Sequence, residues 1–293
     1  MTDAVIASPT TERPKSKGLG RVFLRRVISS WQGKIAVTVL LIVILAGILA
    51  PVLTPFSPTK IDFNYIITEP TSLHWFGTDE AGRDTLTRVL YGARTSMVIV
   101  VLAVAIGAAM GTLIGLISGW VGGIVDTAIM RAMDVVLCFP TLVLALAIVS
   151  ALGPDTINAI IALALVQVPH FARLCRAEVL SLRNIEYIKA VRAMGASVPR
   201  IVFLHVWPNA SGPIIVYLST AASITLMAEA SLSFLGLGVQ PPTPSWGNMV
   251  AVGMNNVSAW WMSIFPGAAI FVTVLGFNLL GDAVRDARDA RLS

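Results

Sequence analysis

The stretch "EYIKAVRAMGASVPRIVFLHVWPN", Glu186 to Asn209, is the longest polar interruption between hydrophobic segments of the chain. Within it Tyr187, Ala190, Val191 and Met194 fall at i, i+3, i+4 and i+7, the spacing of one helical face. Glu186, Lys189 and Arg192 take the other side. The spacing predicts a short amphipathic helix with Asn184 as N-cap and Gly195 ending it in the left-handed conformation. A second short helix is expected next, capped by Ser197 with Pro199 in its first turn, where a missing N–H costs little. Pro208 and Pro213 are expected to break the chain before the next apolar run. Amphipathicity alone suits a connector resting among lipid headgroups. A helix, Gly corner and helix between two spans, too short for a domain, is better suited to pressing into a groove on another protein.

The flanking sequence places this loop in a membrane protein. Hydrophobic residues make up 56% of the chain and charged residues only 13%, against about 25% charged in soluble domains. The mean hydropathy is +0.80. A net charge of +5 is compatible with nucleic-acid binding, but the basic residues follow the loops and form no basic module with interleaved aromatics. Cys138 and Cys175 lie in or beside apolar segments with no second pair, so they read as small core residues, not a disulfide framework or metal site.

Six spans are expected: Ile35 to Thr54 (ended by Pro51 and Pro55), Ser96 to Ile117, Met130 to Leu152, Asp155 to Leu174, Ile214 to Leu235 and Trp260 to Leu280. The apolar run after the basic tail lacks a small-residue cleavage site and reads as a retained anchor. The expected organisation is a basic tail over 1–34, a first helix over 35–55, an extracytoplasmic segment over 56–95, a core of five further helices over 96–282 carrying the loop over 184–209, and a tail over 283–293. In the second span Ala103, Gly107, Gly111, Gly115 and Gly119 recur every four residues, a stripe that lets another helix approach at backbone distance. Asp134 can pair with Arg131 three residues before it. Glu229 is the one acid well inside a span, and an ionisable residue at that depth faces the bundle interior, where it lines the substrate path or bonds a neighbouring helix. Of the 21 Lys and Arg residues, only Lys60, Arg83, Arg88 and Arg94 fall on the proposed outer side, so both termini and the Glu186 to Asn209 loop are expected in the cytoplasm.

Several chemistries are absent from the sequence. No Gly-rich phosphate loop exists, since Gly33-Lys34 lacks both the preceding Gly and the following hydroxyl. His74, His170 and His205 are scattered, and Asp79 and Asp84 with His74 match no metal spacing; a salt-bridged loop with Arg83 and Arg88 is expected there. No enzymatic activity, bound metal or cofactor is expected of this chain.

The loop resembles the coupling loop of ABC importer permeases, whose pattern is Glu-Ala-Ala, three residues, Gly, nine residues, Ile, any residue, Leu-Pro. Lys189, Ala190 and Val191 stand at the triplet, Gly195 at the Gly, and His205, Trp207 and Pro208 at the end. Lys189, Val191, His205 and Trp207 depart from the general letters, so the match is to the architecture. His74, Gly77, Thr78, Asp79, Gly82, Arg83 and Asp84 resemble a signature of oligopeptide and dipeptide importer permeases, as do "EASLSFLGLGVQPPTPSWGNM" from Glu229 to Met249 and "NLLGDAVRDARD" near the end, where Ala290 replaces a common Pro. The resemblance implies an all-α, six-span, type I ABC importer permease for peptides. It further implies a second homologous permease, two ATPase subunits that bind ATP and Mg, and an extracytoplasmic substrate-binding protein. Under it, Glu186, Tyr187, Lys189, Ala190, Val191, Met194, Gly195 and Ala196 couple to the ATPases, and Gly77, Thr78, Asp79, Gly82, Arg83 and Asp84 dock the binding protein. A permease for another solute such as a metal chelate, a secondary transporter or channel, and an inert scaffold are the alternatives. Against the second, no inverted repeat pairs residues 35–152 with 155–282.

Overall fold

The computed structural model describes residues 27–289. The expected basic tail up to Arg26 and the last residues from Ala290 lie outside the described residues. α1 (Trp31–Leu53) is capped by Ser30, whose hydroxyl accepts from the Gly33 amide at 3.0 Å. Pro51 lies inside this helix. α2 (Thr85–Val121) follows a folded loop. Its 37 residues give a length of about 55 Å, well beyond the ~30 Å hydrocarbon core. The expected loop over 56–95 therefore ends at Asp84, and the helix begins eleven residues before Ser96.

The predicted third span is two helices. α3 (Gly123–Leu137) and α4 (Thr141–Leu152) meet at 89°. Pro140 explains the break: it has no N–H to donate and disfavours helical geometry in the residue before it. Cys138 is exposed at this bend, contrary to the core position expected for it, whereas Cys175 is buried. α5 (Thr156–Leu182) is capped by Asp155. α6 (Glu186–Ala193) and α7 (Val198–Ile201) make the polar loop. A π-helical segment (Val202–Val206) joins α7 to α8 (Trp207–Phe234) without interruption. Pro208 and Pro213 do not break the chain as expected. Pro208 follows directly on the π segment at the start of α8, and Pro213 is carried inside the helix. The Gly/Pro-rich stretch after α8 contains α9 (Trp246–Met254), and α10 (Trp261–Asp289) ends the described chain. Among the described residues five helices are long and apolar enough to cross a membrane, and the bent α3–α4 pair makes a sixth candidate.

The most extensive packing is α2 against α5. A Cβ built on Gly111 would stand 2.5 Å from the Val168 carbonyl oxygen, and one on Gly115 would stand 2.5 Å from that of Ala172. Gly107 meets Ala164 and Gln167 in the same way, and Gly119 meets Val179. All five neighbours lie on α5, so the absence of side chains at these glycines of α2 sets the distance between the two backbones. Gln167 extends the contact to α8, donating to Thr225 Oγ1 at 2.7 Å and to the Ala221 carbonyl at 3.2 Å.

Candidate functional site

The polar loop is anchored by one face and open on the other. Ile188 of α6, Ile201 of α7 and Val206 of the π segment are at most 1% exposed and join the main core cluster. On the opposite side Tyr187 is 43% and Met194 78% exposed, with Ala190 exposed between them. Val191 differs from its predicted place: it is half-buried and packs on the chain's own core, because it lies nearer Ile188 around the helix than Ala190 does. Glu186, Lys189 and Arg192 are exposed, and Ala196 packs partly inward.

The ends of α6 are set by backbone geometry. Ile185, not Asn184, is the N-cap, and no side chain bonds there. Ser197 occupies the cap of α7, but its hydroxyl makes no capping bond. Gly195 has φ +81 and donates its amide to the Arg192 carbonyl at 3.0 Å. A Cβ there would meet nothing within 4 Å, so the backbone conformation, not space, asks for Gly.

One contact ties this loop to the Gly-packed pair directly, and two further sets hold the end of α5 to α2 and α3. The Arg192 guanidinium lies 4.9 Å from the Trp120 ring centre at the end of α2. Arg183 donates to the Gly119 carbonyl at 2.9 Å. Arg176 of α5 makes a fork-on-carboxylate pair with Asp126 of α3 at 2.5 and 2.6 Å, and Ser118 of α2 donates to the same carboxylate. Asp134 pairs with Arg173 across to α5, not with Arg131 on its own helix as predicted. Within the loop, Tyr187 and Asn209 both donate to the His205 carbonyl, at 3.4 and 2.6 Å. Partial burial pushes the Tyr187 phenol above its ordinary pKa, which keeps it a donor.

The outer loop is a closed clasp. Asp79 accepts from the Ala81 and Arg83 amides at 2.9 and 3.0 Å, pairs with Arg83 Nε at 2.7 Å and lies 3.3 Å from Arg88 Nε. Asp84 caps α2 through the Thr87 amide at 2.8 Å and meets His74 Nδ1 at 2.9 Å. Trp261, at the start of α10, donates to the Thr78 carbonyl at 3.0 Å. Gly77, Thr78, Asp79, Gly82 and Asp84 are buried and Arg83 is half-buried. Their polar groups are engaged in holding the loop to α2 and α10. No group of metal-ligating side chains occurs among the described residues.

Glu229 is 1% exposed, 22 residues into α8 and five before its end. One carboxylate oxygen accepts from Ser233 at 2.9 Å, while the other, like the Ser96 hydroxyl on α2, has no hydrogen-bond partner.

Sequence reasoning missed Ile188 as the anchor and the Arg192–Trp120 and Arg176–Asp126 contacts. The first had a signal, since Ile185, Ile188 and Val191 recur every three residues. The others join residues far apart in the chain, which periodicity does not reveal.

Comparison with known proteins gives a consistent result. Residues 111–293 match the model for the binding-protein-dependent transport system inner membrane component. The chain is 42% identical over 294 residues to a putative peptide transport system permease protein of Brucella suis, covering 98% of each. It is 43% identical over 265 residues to the dipeptide transport system permease protein of Alkalihalophilus pseudofirmus, covering 89% of this chain and 87% of the relative. It is also 43% identical over 288 residues to a glutathione transport system permease protein of Salmonella paratyphi A, covering 98% and 95%.

Proposed function

Because the chain belongs to the family of binding-protein-dependent transport system inner membrane components, we propose that it is a permease subunit of an ABC importer for peptides and that α6 is its docking helix for an ATPase. Peptide, dipeptide and glutathione permeases among its relatives support the substrate class. The observation that carries the docking role is the division of α6: Ile188 seats it on the bundle while Tyr187, Ala190 and Met194 remain exposed on the outward side.

ATP and Mg belong to the ATPase partners, and the chain itself performs no hydrolysis. A second homologous permease completes the path, and an extracytoplasmic binding protein delivers solute. Both termini and α6 lie in the cytoplasm, a reading supported by the distribution of basic residues. When the ATPases close on ATP, the force enters at α6 and passes through Arg192, Trp120 and Arg183 to α2, and through the Gly contacts to α5. The two helices then move as one body, because their backbones touch and have no side-chain layer in which to slide. Hydrolysis resets the pair.

The test is the reconstituted importer with its two permeases, ATPases and binding protein. Peptide-loaded binding protein should raise ATP hydrolysis and drive labelled peptide into vesicles. Purification of the chain from native membranes with no ATPase attached would overturn the assignment.

A further inference from the structure

At the end of the bundle that carries α6, the helices α5, α8 and α10 enclose a cleft of about 290 Å³. Arg285 and Arg288 of α10 line one side, Tyr217 and Thr220 of α8 the other, and Pro213 and Val216 add apolar wall. Among the described residues neither guanidinium has an ion pair or hydrogen bond, and the Tyr217 and Thr220 hydroxyls make none. Asp282 and Asp286 are exposed on the same helix, and neither comes within 4.0 Å of either Arg. Gly212 leaves room for Arg288: a Cβ there would stand 3.2 Å from its Nε, so the guanidinium lies close over the start of α8.

Two cations and two hydroxyls thus face one space with no counter-charge among the described residues. A guanidinium presents several N–H groups in a rigid fork that fits phosphate oxygens. The cleft sits at the ends of membrane-crossing helices, the level at which lipid headgroups lie, and basic pockets between such helices hold phosphorylated headgroups. The apolar wall of Pro213 and Val216 suits the start of an acyl chain and offers nothing to a free ion. We propose that this cleft binds the phosphate of an anionic phospholipid headgroup, with Arg285, Arg288, Tyr217 and Thr220 as its donors. The proposal rests on the membrane placement of the chain and is independent of the solute carried.

The experiment uses the assembled importer in nanodiscs containing phosphatidylglycerol or phosphatidylcholine, with bound lipid counted by native mass spectrometry. Each basic side chain at an anionic lipid contributes about fivefold in affinity, so Arg285→Gln with Arg288→Gln should weaken phosphatidylglycerol binding roughly 30-fold. Phosphatidylcholine binding should not change. Arg285→Lys with Arg288→Lys keeps the charge but not the fork and should fall between. Should the Gln pair fail to assemble, Tyr217→Phe with Thr220→Val removes two donors without touching charge and should still weaken binding several-fold. Equal phosphatidylglycerol retention by the wild type and the variants that assemble would overturn the site. Displacement of the lipid by added inorganic phosphate would show that the cleft reads a free anion instead.

Discussion

Ala190→Glu isolates docking from folding. In the chain alone Ala190 is exposed, so a carboxylate there stays in water. Its one local cost is the like charge of Glu186, four residues earlier, worth only a few tenths of a kcal/mol. Docked, the same position lies between Tyr187 and Met194 in a closed apolar contact. An unpaired charge buried in this way costs about 3 to 5 kcal/mol. Since ~1.4 kcal/mol is tenfold, the lower bound already weakens ATPase docking more than about 100-fold. Ala190→Gln adds the same bulk without charge and should lose much less, which separates electrostatics from shape. The measurements are ATPase co-purification and stimulation of hydrolysis by loaded binding protein, with membrane insertion as control. Undiminished stimulation in Ala190→Glu would refute the assignment of α6 as the docking helix.

Gly195→Val should behave differently, because it leaves the outward face intact and strains the corner at φ +81 by about 1 to 2 kcal/mol or more; subunits should co-purify while stimulated hydrolysis falls. Gly111→Leu places a side chain where even a Cβ would stand 2.5 Å from the Val168 oxygen. It should cost several kcal/mol and abolish assembly, whereas Leu113→Ile, at a site 52% exposed, should shift stability within about 0.5 kcal/mol; detergent stability of the purified complex reads both, and equal stability would place the Gly stripe away from α5. Single cysteines at Thr71 and Thr243, both exposed, should react with an impermeant thiol reagent in intact cells in a background lacking Cys138 and Cys175, and one at Ser197 should not. Labelling at Ser197 alone would invert the topology. Ser245, on the same outer loop, is unsuitable because it is buried as the cap of α9.

Long apolar runs were legible because a charge-free segment near 20 residues has few other fates. The Gly stripe was legible for a similar reason: its four-residue period has one geometric meaning on a helix. The loop over Glu186 to Asn209 could be read in outline, since amphipathic spacing and Gly195 speak locally. Its facing was half wrong. Val191 turned inward because Ile188 found the core, a tertiary preference that outweighs the neater sequence pattern. The bend at Pro140 and the passage through Pro208 show the same limit from two sides. Proline removes one donor in both, and only the surrounding packing decides whether the chain turns or continues. Asp79 and Asp84 were read as members of a motif, but their work is done by amides and guanidiniums that a linear pattern does not bring together.

The Thr78–Trp261 bond and the stacked Phe76 and Phe265 rings, 3.8 Å between centres, join the outer loop to the start of α10. With Asp84 capping α2 from the same loop, the outer ends of α2 and α10 share one knot. A lever fixed at one end swings most at the other. If α6 docks an ATPase as proposed, displacement applied there is largest at its own end of the bundle and shrinks toward the knot, so the bundle would work as tongs with their pivot at the opposite end.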